Sequence, residues 1–216
     1  MVFGIFTLQE IIDAIVMSFV MGLIFSDFFS RYNKKMKKQV HVYDPIEAAY
    51  SSAKTRIGPL TFNWEDIKFA IALIAPAIIL HELGHKFVAM GFGVSATFNV
   101  PYPFLIIALI LKVMNFPFLI VVPAFVSYPG GILSPFQSAW VALAGPLANF
   151  AIFFLCTLVL KHYKRITGKK LSERAITILG LTKKVNLFLG LFNMIPIRPF
   201  DGGQFLASVI EGISAL

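Results

Sequence analysis

The sequence predicts an all-α protein, a polytopic membrane helical bundle of about six transmembrane segments, with a short β or re-entrant segment after its most polar helix. Three observations carry this. Of the 216 residues, 57% are hydrophobic and 23 are Phe, and mean hydropathy is +0.79. Only 14% are charged, where a soluble domain carries about 25%. Apolar runs long enough to cross about 30 Å of hydrocarbon recur along the chain, parted by basic or Pro/Gly-containing stretches.

Taken in order, a first helix is expected from about Phe6 to Phe29, with Glu10 and Asp13 on one face turned to protein or interface. Those two acids interrupt the first apolar stretch, so no cleavable signal peptide is evident. A basic run follows at Arg31, Lys34, Lys35, Lys37 and Lys38. The polar section from about Val40 to Trp64, broken by Pro45, Gly58 and Pro59, reads as a loop or short interfacial helix able to act as a gate. The second span runs from about Ile67 to Gly91 and holds His81-Glu82-Leu83-Gly84-His85 in its later half. Residues 91–101 mix glycine with β-formers and predict a short extended segment, whose edge could pair with an added strand. Phe104 to Val126 is apolar but carries Lys112, Asn115, Pro117 and Pro123; it spans or re-enters. Tyr128-Pro129-Gly130-Gly131 is a turn. A further span from about Phe136 to Leu160 contains Gly145-Pro146-Leu147-Ala148-Asn149, and a basic loop follows at 161–174. The last third is apolar but broken around Pro196-Ile197-Arg198-Pro199-Phe200-Asp201-Gly202-Gly203.

The chemistry centres on residues 81–85. An HExxH pattern on a helix puts both histidines on one face, one turn apart, where their imidazoles can share a Zn²⁺ ion. Glu82 projects about 100° away, beside such an ion rather than onto it, which suits a general base. Ionisable groups at mid-membrane cost roughly 2.5–3.5 kcal/mol each, so a cluster among apolar residues implies function. A third ligand is then needed. Between Lys86 and Leu171 there is no Asp or Glu. Of the downstream candidates, His162 and Glu173 sit in the basic loop, and Glu211 is isolated. Asp201 lies in a broken apolar segment, after two prolines and before two glycines that permit close backbone approach, and it is the expected ligand. Asn149, an amide otherwise stranded in hydrocarbon, is the expected oxyanion donor, with Asn186 and Asn193 as weaker candidates for holding substrate or packing helices.

Other classes are disfavoured. The lone Cys156 permits neither an intramolecular disulfide nor a cysteine zinc site. The net charge of +8 sits beside apolar segments, which points to anionic lipid rather than nucleic acid.

Three motifs in this order, HELGH at 81–85, GPLAN at 145–149 and NMIPIRPFDGG at 193–203, resemble the site-2 protease family of intramembrane zinc metalloproteases. The resemblance covers the chain from about Ile67 onward. It implies zinc held by His81, His85 and Asp201, with Glu82 as catalytic base. It also implies hydrolysis of transmembrane protein substrates within the bilayer, in regulated intramembrane proteolysis. On this reading residues 1–216 form a single membrane-embedded protease domain in the cell membrane, with an N-terminal helix and gate-like loop at 1–65 and a catalytic core at 66–216. The competing reading is a non-proteolytic zinc transporter or sensor, which would require further polar residues along a path through other helices.

Overall fold

The computed structural model describes residues 5–40, 55–57, 60–114 and 123–215. Helix α1 spans Leu8–Val40, and strands β1 (Thr55–Ile57) and β2 (Leu60–Phe62) follow as an antiparallel pair. Then come helix α2 (Trp64–Gly91), strand β3 (Thr97–Asn99), helix α3 (Tyr102–Val113) and strand β4 (Phe125–Ser127). Helices α4 (Pro135–Thr167), α5 (Glu173–Asn193) and α6 (Asp201–Ser214) complete the fold.

Helices α1, α2, α4 and α5 are long and apolar enough to cross a membrane, making this a multi-pass integral membrane protein. Helix α3, at 12 residues, is about 18 Å long and falls short of the roughly 30 Å core. The all-α class holds, with four full-length span candidates among six described helices. Asn115 and Pro117 lie outside the described residues, as does most of the polar section expected as a gate, whose described part is the β1–β2 pair.

Two helices run beyond their expected ends. Helix α1 continues through the basic run to Val40, because Arg, Lys and Met are good helix formers and no Gly or Pro intervenes before Pro45. Helix α4 likewise absorbs half of the expected basic loop and stops at Gly168, which takes the left-handed conformation (φ 70°) that glycine adopts without penalty. Its start is fixed by a capping box between Ser134 and Gln137.

Helix α2 packs against α1 on one side and α4 on the other. Met17, Met21, Ile24 and Phe29 of α1 meet Ala70, Leu73, Ile74 and Ile78 of α2 in the main apolar core. The two helices are antiparallel and pinned at both ends. Asn33 Nδ2 donates to Asp66 Oδ1 over 2.8 Å, and Lys86 Nζ pairs with Glu10 at the far end. Both members of that ion pair are buried, so Glu10 faces protein. Glu10 Oε1 also accepts the Phe98 backbone N–H at 2.7 Å, which ties β3 to the start of α1. Strand β3 pairs antiparallel with β4, Phe98 opposite Val126, so the extended segment expected after α2 is one half of a small sheet.

Candidate metal centre

The two histidines lie on the α2 face that meets α4, and the crossing there is unusually close. Gly84 lies against Ala144, where a Cβ would come within 2.6 Å of the Ala144 carbonyl oxygen. Gly145 lies against the imidazoles themselves, where a Cβ would sit 2.7 Å from His81 Nε2 and closer still to His85 Nε2. Small residues at a helix crossing let backbones approach. Here that approach brings α4 main chain and side chains within reach of the imidazoles.

His85 Nδ1 lies 2.6 Å from the Val141 carbonyl oxygen. A carbonyl only accepts, so Nδ1 carries the proton and donates it. His81 Nδ1 lies 2.6 Å from Asn149 Oδ1. The Asn149 amide orientation is fixed by its nitrogen, which donates to Ala77 O at 3.1 Å and to Asn186 Oδ1 at 2.9 Å. His81 Nδ1 is therefore also a donor. In neutral rings both Nε2 atoms then carry bare lone pairs, and these face one another at 3.1 Å.

The third member arrives from the far end of the chain. Asp201 opens α6 after the helix-breaking segment 194–200, and its Oδ2 lies 3.0 Å from His81 Nε2 and 3.4 Å from His85 Nε2. Its two following glycines have a specific use. A Cβ at Gly202 would collide with the Met194 carbonyl, and one at Gly203 would come 2.5 Å from Arg198 N. The fold-back that delivers Asp201 has no room for side chains there.

Three acceptors with no hydrogen between them thus converge in a buried site, and Asp201 Oδ2 has no hydrogen-bond donor among the described residues. With both rings neutral, such a cluster is repulsive unless a proton or a metal cation sits within it. Tetrahedral donors about 2.0–2.1 Å from zinc lie about 3.3–3.5 Å from one another, close to the separations here. His₂Asp with one position open is a catalytic rather than a structural donor set. The residues fit zinc.

The family model for peptidase family M50 matches residues 68–166 and 162–215. The chain belongs to peptidase family M50. A curated Methanocaldococcus jannaschii protein named as a zinc metalloprotease is 38% identical over 146 residues, 67% of this chain and 73% of that one. A Synechocystis protein so named is 30% identical over 142 residues, 66% of this chain but 31% of the relative. A solved site-2 protease from Methanocaldococcus jannaschii overlays with a TM-score of 0.45 at 22% identity, over 67% of this chain and 55% of that one. This M50 chain is accordingly a zinc metalloprotease, and the site-2 protease resemblance of its three motifs agrees with the family match.

Glu82 is buried and, with His81, His85 and Asp201, lines a cavity of about 580 Å³ between α1 and α5. The walls are mainly aromatic and aliphatic, with Lys184, Asn193 and Gln204 among the polar groups. Strand β4 borders it through Phe125 and Val126. Asn149 stands differently from its expected role. Its amide donors are both engaged, on Ala77 and Asn186, and its oxygen holds His81, which leaves no donor for an oxyanion. The support that Val141 gives to His85 is a backbone contact with no side-chain signature. Gly145 was visible only as part of a motif, and its contact with both rings needed the crossing geometry.

Proposed function

We propose that this chain cleaves peptide bonds of transmembrane protein substrates inside the bilayer, as the proteolytic step of regulated intramembrane proteolysis. His81 Nε2, His85 Nε2 and Asp201 Oδ2 hold the zinc, and Glu82 is the general base. The observation behind this is the convergence of His81, His85 and Asp201 beside a buried glutamate, at the wall of a cavity flanked by membrane-length helices.

Zinc so held supplies Lewis acidity, lowering the pKa of water toward about 7 and polarising a carbonyl. Glu82 takes a proton from the attacking water and returns it to the leaving amine as the C–N bond breaks. Apolar walls exclude bulk water and seat a hydrophobic segment. The scissile amide must leave its helix first, because helical carbonyls are already bonded. Strand β4 offers a place for it, since its edge away from β3 can pair with an extended segment. A transport reading leaves Glu82, buried beside the three donors, without a use.

The test uses the full chain in lipid nanodiscs with a transmembrane peptide substrate. Glu82→Gln should keep about one zinc per chain and lose cleavage. Cleavage retained by Glu82→Gln would reject the base assignment, and a wild-type chain that binds no zinc would reject the whole reading.

A further inference from the structure

Two imidazoles share this centre, and their outer nitrogens are held by different means. His85 leans on a main-chain carbonyl, Val141 O, which cannot change its hydrogen-bonding character. His81 leans on a side-chain amide, Asn149, which can. Rotating that amide by half a turn would present Nδ2 to His81 Nδ1 and force the proton onto Nε2, the atom aimed at Asp201 and His85. Something must forbid that rotamer, and the acceptors around Asn149 Nδ2 do so. One is Ala77 O at 3.1 Å and the other is Asn186 Oδ1 at 2.9 Å.

Asn186 is itself oriented. Its Nδ2 donates to Thr182 O at 2.9 Å, one turn back on α5, so its oxygen must face Asn149. The sequence Thr182 O, Asn186, Asn149, His81 therefore has one consistent direction, set by backbone carbonyls at Thr182 and Ala77. Asn149 and Asn186 are fully buried, at 0% and 1% exposure, so water offers neither a substitute partner. Two buried amides linked across α4 and α5 would be costly packing elements unless every group were paired, and here they are.

We propose that Asn186, which touches neither the donors nor the cavity, is a positioning residue of the metal centre: through Asn149 it locks the His81 tautomer in which Nε2 is free to bind zinc. This rests on the zinc reading above. Removing an outer partner of a metal-bound histidine typically lowers metal affinity by about 10–100-fold.

The experiment measures zinc affinity of the full chain in nanodiscs by competition with a chromogenic chelator, and thermal stability of the zinc-free protein alongside. Asn186→Leu should weaken zinc by up to about 10-fold, the low end of that range, because Ala77 O still holds Asn149. Adding Asn149→Asp to that variant, which gives His81 an acceptor whichever way it turns, should recover most of the loss. A role in packing alone would lower the melting temperature of the zinc-free protein and leave zinc affinity of the folded fraction unchanged, and that result overturns the proposal. Should Asn186→Leu not fold, ¹⁵N-histidine NMR of the zinc-free wild type decides, at a pH alkaline enough that both rings are neutral. The His81 ring should report a protonated Nδ1 and a bare Nε2, and the opposite tautomer overturns the proposal. Absence of zinc binding by the wild type would instead overturn the metal assignment.

Discussion

The Glu10–Lys86 pair gives a stability experiment with a defined magnitude. Lys86 directly follows the second histidine and is 1% exposed, Glu10 is 3% exposed, and the ammonium also lies 4.8 Å from the Phe6 ring centroid. Removing one member of a buried ion pair leaves an uncompensated charge and costs about 3–5 kcal/mol. Glu10→Ala would in addition orphan the Phe98 N–H, at about 1–3 kcal/mol more. Together these approach the stability of a whole domain, about 5–15 kcal/mol, so Glu10→Ala should be barely folded. Lys86→Met should cost less, near 3 kcal/mol, because Glu10 keeps the Phe98 and Thr7 N–H donors. The pair Glu10→Gln with Lys86→Met removes both charges yet keeps an acceptor for Phe98. It should return to within about 1 kcal/mol of wild type, since buried pairs replaced together are often near neutral. SDS-induced unfolding in mixed micelles, followed through Trp64 and Trp140, gives the four corners of the cycle when the single Glu10→Gln variant is measured beside Lys86→Met, the double variant and wild type. Additive losses, or single variants indistinguishable from wild type, would refute the account of α1 as pinned to α2 by this charge.

Gly145→Ala should abolish zinc binding in chelator competition, since its Cβ would occupy the space beside both Nε2 atoms. Helix propensity pulls the other way by about 1 kcal/mol, so its zinc-free form should remain folded by circular dichroism. Asp201→Asn should weaken zinc by at least about 10-fold while leaving the helical content intact, read by metal analysis after dialysis. Stripping zinc with a chelator should lower the melting temperature, and restoring free zinc to about 100 Kd should return about 2.7 kcal/mol. Placing Gly or Pro near the scissile bond of a transmembrane substrate should raise its cleavage rate in a gel assay, because the segment then unwinds more readily.

The donor set was legible because its elements are sparse: a paired histidine in hydrocarbon, no acid for the next eighty-seven positions, and one aspartate set between prolines and glycines. Helix existence was legible from apolar run length, but helix ends were not. The basic stretches after Phe29 and after Leu160 carry no breaker, and the helices simply run on through them. What no reading of one segment could supply is the set of partners drawn from different helices. Asn149 looks like a free amide in sequence, and only the approach of α2 and α5 reveals that every one of its polar atoms is spoken for. The same holds for Lys86, a basic residue inside an apolar helix whose counter-charge comes from the start of the chain.

The division of the donor set between α2 and the start of α6 has a consequence for biosynthesis. A ribosome delivers the two imidazoles to the membrane early, but the Asp201 carboxylate proposed to join them arrives only with α6. A chain made only as far as α5 holds the two imidazoles and Glu82 without that carboxylate. On the proposed assignment, hydrolysis cannot begin until α6 has been made and has folded back onto α2.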